Sequence, residues 1–214
     1  MNKNLNEVIL KRIGFTVEAL RKNRFEAHYI PTKEELLQKV IERIPAGCTC
    51  SMGGTVTLAE TGVRQYLEAG GDFTYFDRNI PGVNLDEINR KALTCDVYLS
   101  GTNAITLDGK LYNMDGRANR VAAICYGPKK VIIVAGYNKI VTDIPAAQKR
   151  MREICAPANA LRLGYKTPCG ATGTCQGQDG CQAEKRMCSQ ELITGWLSVP
   201  ERICVFIVGE QLGF

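Results

Sequence analysis

Residues 95–143 read CDVYLSGTNAITLDGKLYNMDGRANRVAAICYGPKKVIIVAGYNKIVTD, and this stretch decides the fold. Its two short apolar runs, 97–99 and 131–135, lack alternation and end near glycine, which is typical of buried strands. Asp108-Gly109 between them predicts a hairpin turn. Because ligands bind at the carboxyl ends of parallel strands, the polar residues that follow these runs predict a site there.

Strand and helix patterns alternate along the rest of the chain. Apolar residues at helical spacing predict helices over 3–22, 33–44 and 145–154, the last with a solvated face of Lys149, Arg150 and Arg152. Apolar runs predict short strands at 25–30, 48–51 and 73–76. This alternation predicts an α/β fold of three layers with a mostly parallel sheet. A final apolar run, 202–209, predicts a strand that returns to the sheet, so that 1–214 form a single domain.

Composition excludes several classes of protein. A net charge of +5 is spread along the chain and not gathered into a stripe, which disfavours nucleic-acid binding. No apolar run approaches the ~18 residues that a membrane span requires. Residues 1–7 are polar and lead into a helix, so they do not resemble a signal peptide. We therefore expect a cytoplasmic protein.

The chain has ten cysteines and one histidine, His28, and these counts limit the kinds of metal site and acid–base site that it can form. Without an export signal, disulfides are disfavoured, and metal binding or simple burial becomes the better interpretation. A single histidine excludes mechanisms that need one histidine as a base and another as a ligand. Carboxylates, lysine, tyrosine or cysteine would then perform any acid–base chemistry. Six cysteines lie in or beside apolar elements and are predicted to be buried as small hydrophobic residues: Cys48, Cys50, Cys95, Cys125, Cys155 and Cys204.

The remaining cysteines lie in segment 164–190, where glycine, threonine and glutamine replace hydrophobic residues. Five, five and six residues separate Cys169, Cys175, Cys181 and Cys188. Thiolates in such a loop can close around an iron–sulfur cluster or a zinc ion. The C-x2-C pairs of strong metal motifs are missing, so the alternatives are free thiols in a mobile loop or adventitious disulfides in an oxidised sample. We expect this segment to be a loop excursion from the main domain.

A glycine turn precedes a predicted helix that runs to about residue 68. Gly53-Gly54 ends a strand and is followed by Thr55 and Thr57, an arrangement that suits an anion at a helix start. An ordinary strand-to-helix junction is the alternative. Glu60 is either the capping partner of Thr57 or an acid–base residue in a cleft.

Four motifs of the central stretch resemble a known family: GTNAI at 101–105, DGKLYNMDGR at 108–117, NRVA at 119–122, and KKVIIVAG with NKIV at 129–141. In them the chain closely resembles the LUD-domain family, over roughly residues 5–165. That family includes the third subunit of the bacterial lactate-utilisation system. The resemblance implies a fold similar to the sugar-phosphate isomerase and CoA-transferase superfamily, in which the loop equivalent to 53–57 holds phosphate or acyl groups. Some members also carry a cysteine segment similar to 167–175.

On the fold that this resemblance implies, loops 53–57, 101–120 and 136–139 converge at one edge of the sheet. Asp115 is the candidate acid–base group, and turn capping is its alternative role. Arg120 and Lys139 are candidates for neutralising a carboxylate, although Arg120 also fits a surface position on a helix. The other candidate ligand-binding residues are polar and sit in the same loops: Thr102, Asn103, Asn113 and Asn119.

Three functions are compatible with these observations. The first is a LUD-domain protein that binds a small anionic metabolite and supports oxidation of lactate or a related hydroxy acid beside iron–sulfur partners. The second is a transferase or isomerase acting on a phosphorylated or acylated small molecule. The third is a non-catalytic electron-transfer or assembly subunit whose cysteine segment holds an iron–sulfur cluster. A homo-oligomer is compatible with all three.

Overall fold

The computed structural model describes residues 2–177 and 181–214. Its strands are β1 (Glu26–Ile30), β2 (Cys48–Met52), β3 (Phe73–Phe76), β4 (Val97–Gly101), β5 (Ala104–Thr106), β6 (Leu111–Asp115), β7 (Lys130–Gly136), β8 (Ile140–Val141), β9 (Gln190–Thr194) and β10 (Ile203–Val208). Its α-helices are α1 (Lys3–Lys22), α2 (Lys33–Ile41), α3 (Val56–Glu60), α4 (Val63–Ala69), α5 (Leu85–Ala92), α6 (Asn119–Cys125), α7 (Ile144–Arg150), α8 (Ala156–Arg162) and α9 (Pro168–Thr172). Tyr137–Lys139 is a 3-10 turn, and Met151–Cys155 is a π-helical segment that joins α7 to α8.

The main sheet has six parallel strands in the order β1-β10-β7-β4-β2-β3. All six residues of β10 are buried, and so are residues 131–136 of β7. Both strands are continuous apolar runs because helices cover both faces of the sheet. The predicted α/β class with a mostly parallel sheet is confirmed.

Side chains of the main sheet alternate between two hydrophobic clusters. On one face Val205 and Ile207 pack with Leu20 of α1 and Ile124 of α6. On the other face Phe206 packs with residues of α2, α3 and α4, which include Leu36, Leu58 and Leu67. Burying each of these large apolar side chains is worth about 1.5–3 kcal/mol. Helices, sheet and helices therefore form three layers.

A second, four-stranded sheet has the order β8-β5-β6-β9. Strands β5 and β6 form the predicted antiparallel hairpin, in which Gly109 adopts a φ of 81°. A side chain at Gly109 would also lie 2.5 Å from the backbone of Ala19, so both conformation and space require glycine here. Ala104 and Tyr112 of this sheet pack against Ala147 and Met151, which places the helix of α7 beside it.

Two predicted helices have different bounds in the structure. The helix expected to run to residue 68 breaks into α3 and α4, because Gly62 adopts a φ of 75° between them. The helix expected to end near 154 continues through the π-helical segment to Arg162. Cys125, predicted to be buried, is exposed at the end of α6. Among the described residues, no helix is both long and apolar enough to cross a membrane.

Candidate functional site

A cleft of about 670 Å³ opens at the carboxyl ends of β2, β4 and β7. Residues from all three predicted loops line it, at 54–57, 100–103, 114–120 and 139. Two further walls come from the helical stretch 151–163 and from 184–187 of the cysteine segment. Parallel strands end at a common edge, which explains why loops distant in sequence meet here.

The Gly53-Gly54 turn lets the backbone pass close to its neighbours. A Cβ atom at Gly53 would lie 3.0 Å from the Tyr98 hydroxyl and 3.2 Å from Cδ of Arg120. Gly54 is exposed to the cleft. Thr55 packs on β4, where a Cβ atom at Gly101 would come within 2.8 Å of its hydroxyl. Glycine at 53 and 101 is therefore needed for close packing below the cleft.

Arg120 is the centre of a hydrogen-bond network under the cleft. Its guanidinium lies 2.7 Å from Oδ1 of Asp115 and donates to the side-chain oxygens of Asn113, at 2.6 Å, and Asn103, at 2.8 Å. It also donates to the carbonyl groups of Gly101 and Met114. The positive charge of Arg120 is thus neutralised inside the protein, and the side-chain oxygens of Asn103 and Asn113 are occupied in holding it.

Asp115 is a buried member of the same network. Its Oδ1 accepts from Arg120, and its Oδ2 accepts from the backbone N–H of Val121 at 2.9 Å. Both oxygens are therefore engaged, one by a charged partner and one by the first turn of α6. The acid–base role of Asp115 stays a prediction, and it requires Arg120 to release the carboxylate.

Thr102 and Asn119 also have internal hydrogen-bond partners. The buried Thr102 hydroxyl lies within hydrogen-bond distance of the carbonyl groups of Ala104, at 3.1 Å, and Tyr112, at 3.0 Å, in the second sheet. The Asn119 amide donates to the side chain of Asn89 on α5. These two side chains fix the walls of the cleft to the elements behind it.

Lys139 lies at the floor of the cleft and is 3% exposed. Its ammonium group donates to the Thr57 hydroxyl at 2.9 Å. Burial, and then the nearby positive charges of Arg150 and Arg120, lower the pKa of Lys139 to about 8. Near neutral pH this lysine is therefore still mostly protonated, and its positive charge lies where water solvates it poorly.

Arg150 was expected on a solvated helix face, and the structure corrects this expectation. The side chain is 8% exposed and donates to the carbonyl of Asn103 and to Sγ of Cys155, each at 2.8 Å. The helix of α7 packs on the second sheet, which turns Arg150 inward. No carboxylate within 2–177 or 181–214 pairs with Arg150 or Lys139. Lys139 at the floor therefore has no ion-pair partner among these residues, the carboxylate of Glu60 offsets its charge only in part, and Arg150 lies outside the cleft lining.

Two further arginines lie at the mouth of the cleft, above the Gly53-Gly54 turn. A Cβ atom built on Gly54 would be 3.8 Å from Nη1 of Arg78 and 4.0 Å from Nη2 of Arg162. Sequence patterns did not indicate either residue, since Arg78 follows β3 in an irregular loop and Arg162 lies far away on α8. The sequence does not indicate that the two arginines are neighbours, because only the folded sheet brings the loop of Arg78 and helix α8 to the same glycine turn.

Glu60 lies outside the residues that line the cleft. It is exposed, and its Oε2 accepts from the backbone N–H of Gly213 at 2.7 Å. The interpretation of Glu60 as the capping partner of Thr57 is wrong, because α3 already begins at Val56 and Thr55 occupies the N-cap position. The acid–base role of Glu60 stays a prediction.

The cysteine segment does not gather its four sulfurs in the part of the chain that the structure describes. Cys181 is buried, and Cys169, Cys175 and Cys188 are half-buried. Among residues 2–177 and 181–214, none of these sulfurs belongs to a set of three or more Cys, His, Asp or Glu ligand atoms that lie within 4.8 Å of one another. Residues 178–180, within the predicted loop, lie outside the described residues. Metal binding by this segment stays a prediction.

A different trio, Glu26, His28 and Cys204, does bring its ligand atoms within 4.8 Å of one another. The guanidinium of Arg43 donates to Glu26 at 2.5 Å and lies 3.0 Å from Nε2 of His28. It also lies 4.8 Å from the centre of the Phe206 ring. A cation thus already neutralises Glu26, and the cluster is explained as a structural ion pair.

A model of the LUD domain matches residues 14–208, which is most of the chain. The chain belongs to the LUD-domain family. This LUD-domain protein also matches a solved structure of a DUF162 family protein from Deinococcus radiodurans, at 16% identity and a TM-score of 0.50. That match covers 95% of this chain and 98% of the other, and it shows a shared fold.

Other solved structures match less of this LUD-domain protein. One is eIF2B beta from Chaetomium thermophilum, with 14% identity and a TM-score of 0.38, over 53% of this chain and 44% of that one. Another is eIF2B delta from Chaetomium thermophilum, with 18% identity and a TM-score of 0.35, over 51% and 48% of the two chains. A comparison with curated proteins finds no match.

Proposed function

We propose that this LUD-domain protein binds a small anionic metabolite in the cleft and so supports oxidation of lactate or a related hydroxy acid. The observation that carries the proposal is the buried cation at the floor, Lys139, which forms no ion pair with a carboxylate among the described residues, while Arg150 lies behind it outside the cleft lining. A buried charge is costly unless it is paired. An anionic ligand would supply the missing partner.

The floor suits a carboxylate with a neighbouring hydroxyl. Lys139 offers a cationic donor, and the Thr57 hydroxyl beside it can accept from or donate to a ligand hydroxyl. The Arg120 network keeps 101–103 and 113–115 in place, so the floor does not need to rearrange when ligand binds. In this proposal the protein acts in the cytoplasm, and iron–sulfur partners carry the electrons.

A second candidate function is a transferase or isomerase acting on a small phosphorylated or acylated molecule. Lys139 favours it, because a lysine with a pKa of about 8 can exchange a proton near neutral pH. Asp115 and Glu60 are the further acid–base candidates that this function would use. Turnover of a defined substrate, reduced by Asp115→Asn or Glu60→Gln, would favour this function over binding alone.

Calorimetric titration with L-lactate and pyruvate tests the first proposal. We expect Lys139→Gln to weaken binding about tenfold or more, because one charge-assisted hydrogen bond to the carboxylate is lost. Lys129→Gln is the matched control, since Lys129 is exposed and pairs with Asp96 away from the cleft. Failure of the wild-type protein to bind either acid, or equal binding by Lys139→Gln, would contradict the proposal.

A further inference from the structure

Cys155 lines the cleft, and it is the last residue of the π-helical segment Met151–Cys155. Nη1 of Arg150 donates to its Sγ at 2.8 Å, from behind the cleft lining. The carbonyl oxygen of Asn103 lies 3.9 Å from the same sulfur. A cation beside a cysteine favours the thiolate, which is the nucleophilic form of this side chain. The contacts of Cys155 are therefore those of a reactive thiol.

Other buried cysteines have different surroundings. Burial raises the pKa values of Cys50 and Cys95 to about 12, so these thiols stay protonated near neutral pH and are inert. Cys95 donates to the carbonyl groups of Ala92 and Val97, and neither Cys50 nor Cys95 is among the residues that line the cleft. Cys155 instead accepts from a guanidinium and borders open space.

Lys139 is a second cation near this sulfur. Burial and the charge of Arg150 lower the pKa of Lys139, whereas Cys155 opposes them. Independently of the cysteine, Lys139 forms no ion pair with a carboxylate in the part of the chain that the structure describes. A ligand carboxylate held at Lys139 would therefore place the neighbouring carbon atom of that ligand beside Cys155.

An α-keto acid is the chemical class that would use both groups. Its carboxylate suits Lys139, and the next carbon is an electrophilic carbonyl carbon, the kind of atom that a thiolate attacks. An α-hydroxy acid has the same carboxylate but lacks this carbonyl. The pairing of a nucleophile with a buried cation thus distinguishes the oxidised acid from the reduced one.

We infer that Cys155 is a nucleophile that adds reversibly to the carbonyl carbon of an α-keto acid held at Lys139. The inference rests on the proposed function, in which oxidation of an α-hydroxy acid yields an α-keto acid, and it adds a covalent step at the same site. The sulfur forms a bond to the carbonyl carbon, and the π electron pair of the carbonyl moves to its oxygen. That oxygen takes a proton from the ammonium group of Lys139, which regains one from the thiol. The product is a thiohemiketal, and the addition needs no external oxidant or reductant.

The test compares pyruvate with L-lactate, which share a carboxylate and differ at the carbon next to it. We expect calorimetric titration to show that the wild-type protein binds pyruvate about tenfold or more tightly than lactate, because only pyruvate gains a covalent bond. Cys155→Ser should remove this preference, since a hydroxyl still accepts from Arg150 but is a weaker nucleophile. Cys155→Ala should behave in the same way, and lactate binding by either variant shows that it is folded.

Pyruvate that carries an NMR-active carbon isotope at its carbonyl gives a direct readout of the bond. Wild-type protein should produce a tetrahedral carbon signal distinct from that of free hydrated pyruvate, and Cys155→Ser should not. Cys125→Ser is the matched control and should keep the signal, since Cys125 is exposed and outside the cleft lining. A preference for pyruvate that survives in Cys155→Ser, or no such signal with wild type, would overturn the inference and leave the proposed function standing. Binding of neither acid would overturn both.

Discussion

The buried charge of Lys139 lowers the stability of the folded protein. The side chain is charged at neutral pH and almost fully buried, and Thr57 is its only hydrogen-bond partner among the described residues. Its pKa of about 8 lies well below the ordinary value of 10.5. Between pH 8 and pH 10.5, Lys139 is therefore protonated in the unfolded chain and unprotonated in the folded protein. Stability should therefore rise with pH through this window.

The variant Lys139→Met should reveal this effect in the ligand-free protein. Removing a charge that disfavours folding at pH 7 should stabilise the protein by about 3 kcal/mol, the value of a pKa shift of this size. Urea unfolding from pH 7 to pH 10 would measure the difference between wild type and variant, which we expect to shrink as pH rises above 8. A difference in the free energy of unfolding that does not change with pH would show that it does not arise from the titration of Lys139.

The cysteine segment contains one short helix, α9, and leads directly into strand β9. Helix α9 is capped by the Thr167 hydroxyl, which accepts from the N–H of Gly170 at 3.2 Å, and β9 pairs with β6 in the second sheet. Cys169 and Cys188 lie at the edge of the small cluster beneath α7. The segment is thus attached at both ends, and no three of its sulfurs come together in the described residues.

Metal analysis of anaerobically purified protein tests the prediction for this segment. We expect iron with acid-labile sulfide, or zinc, and we expect Cys169→Ser with Cys175→Ser to remove it because a ligand set then loses two thiolates. Cys204→Ser is the control, since Cys204 lies in β10 beside Glu26. Protein that contains neither metal, or a double variant that retains it, would contradict the prediction.

The whole molecule depends on a strand near the end of the described chain. Strand β10 lies between β1 and β7, so the sheet is continuous only after residues 203–208 have joined it. The pairing of β1 with β10 joins residues about 180 positions apart, such as Ile30 and Val208. Contacts this distant in sequence form late and are entropically expensive.

Ile207→Ala should therefore be strongly destabilising, by about 2–5 kcal/mol, because it leaves a cavity in the main sheet. Ile207 is fully buried, whereas Ile193 of β9 is 44% exposed and serves as a control of the same residue type. Chemical unfolding of both alanine variants should show a loss of less than about 1 kcal/mol for Ile193→Ala. Equal losses at the two positions would mean that β10 is not central to stability.

Local sequence patterns were enough to predict the six strands of the main sheet, the hairpin at Asp108-Gly109 and three of the loops that line the cleft, but not β8, β9 or the second sheet that they complete. They work because apolar periodicity and turn chemistry act over a few neighbouring residues. They could not indicate Arg78, Arg150 or Arg162. Each lies in a helix or loop that looks solvated by itself, and its role depends on which element packs against it in three dimensions.

The π-helical segment Met151–Cys155 has a consequence for how this family can diverge. A π-helical turn contains one more residue than an α-helical turn. Loss of one residue from 151–155 would restore α-helical spacing and rotate α8 by about 100° about its axis. Arg150 precedes the segment and would keep its contacts with the carbonyl groups of Asn103 and Asn138, while Arg162 would move away from Gly54. A single codon deletion could thus change which ligand fits while the six-stranded sheet stays intact.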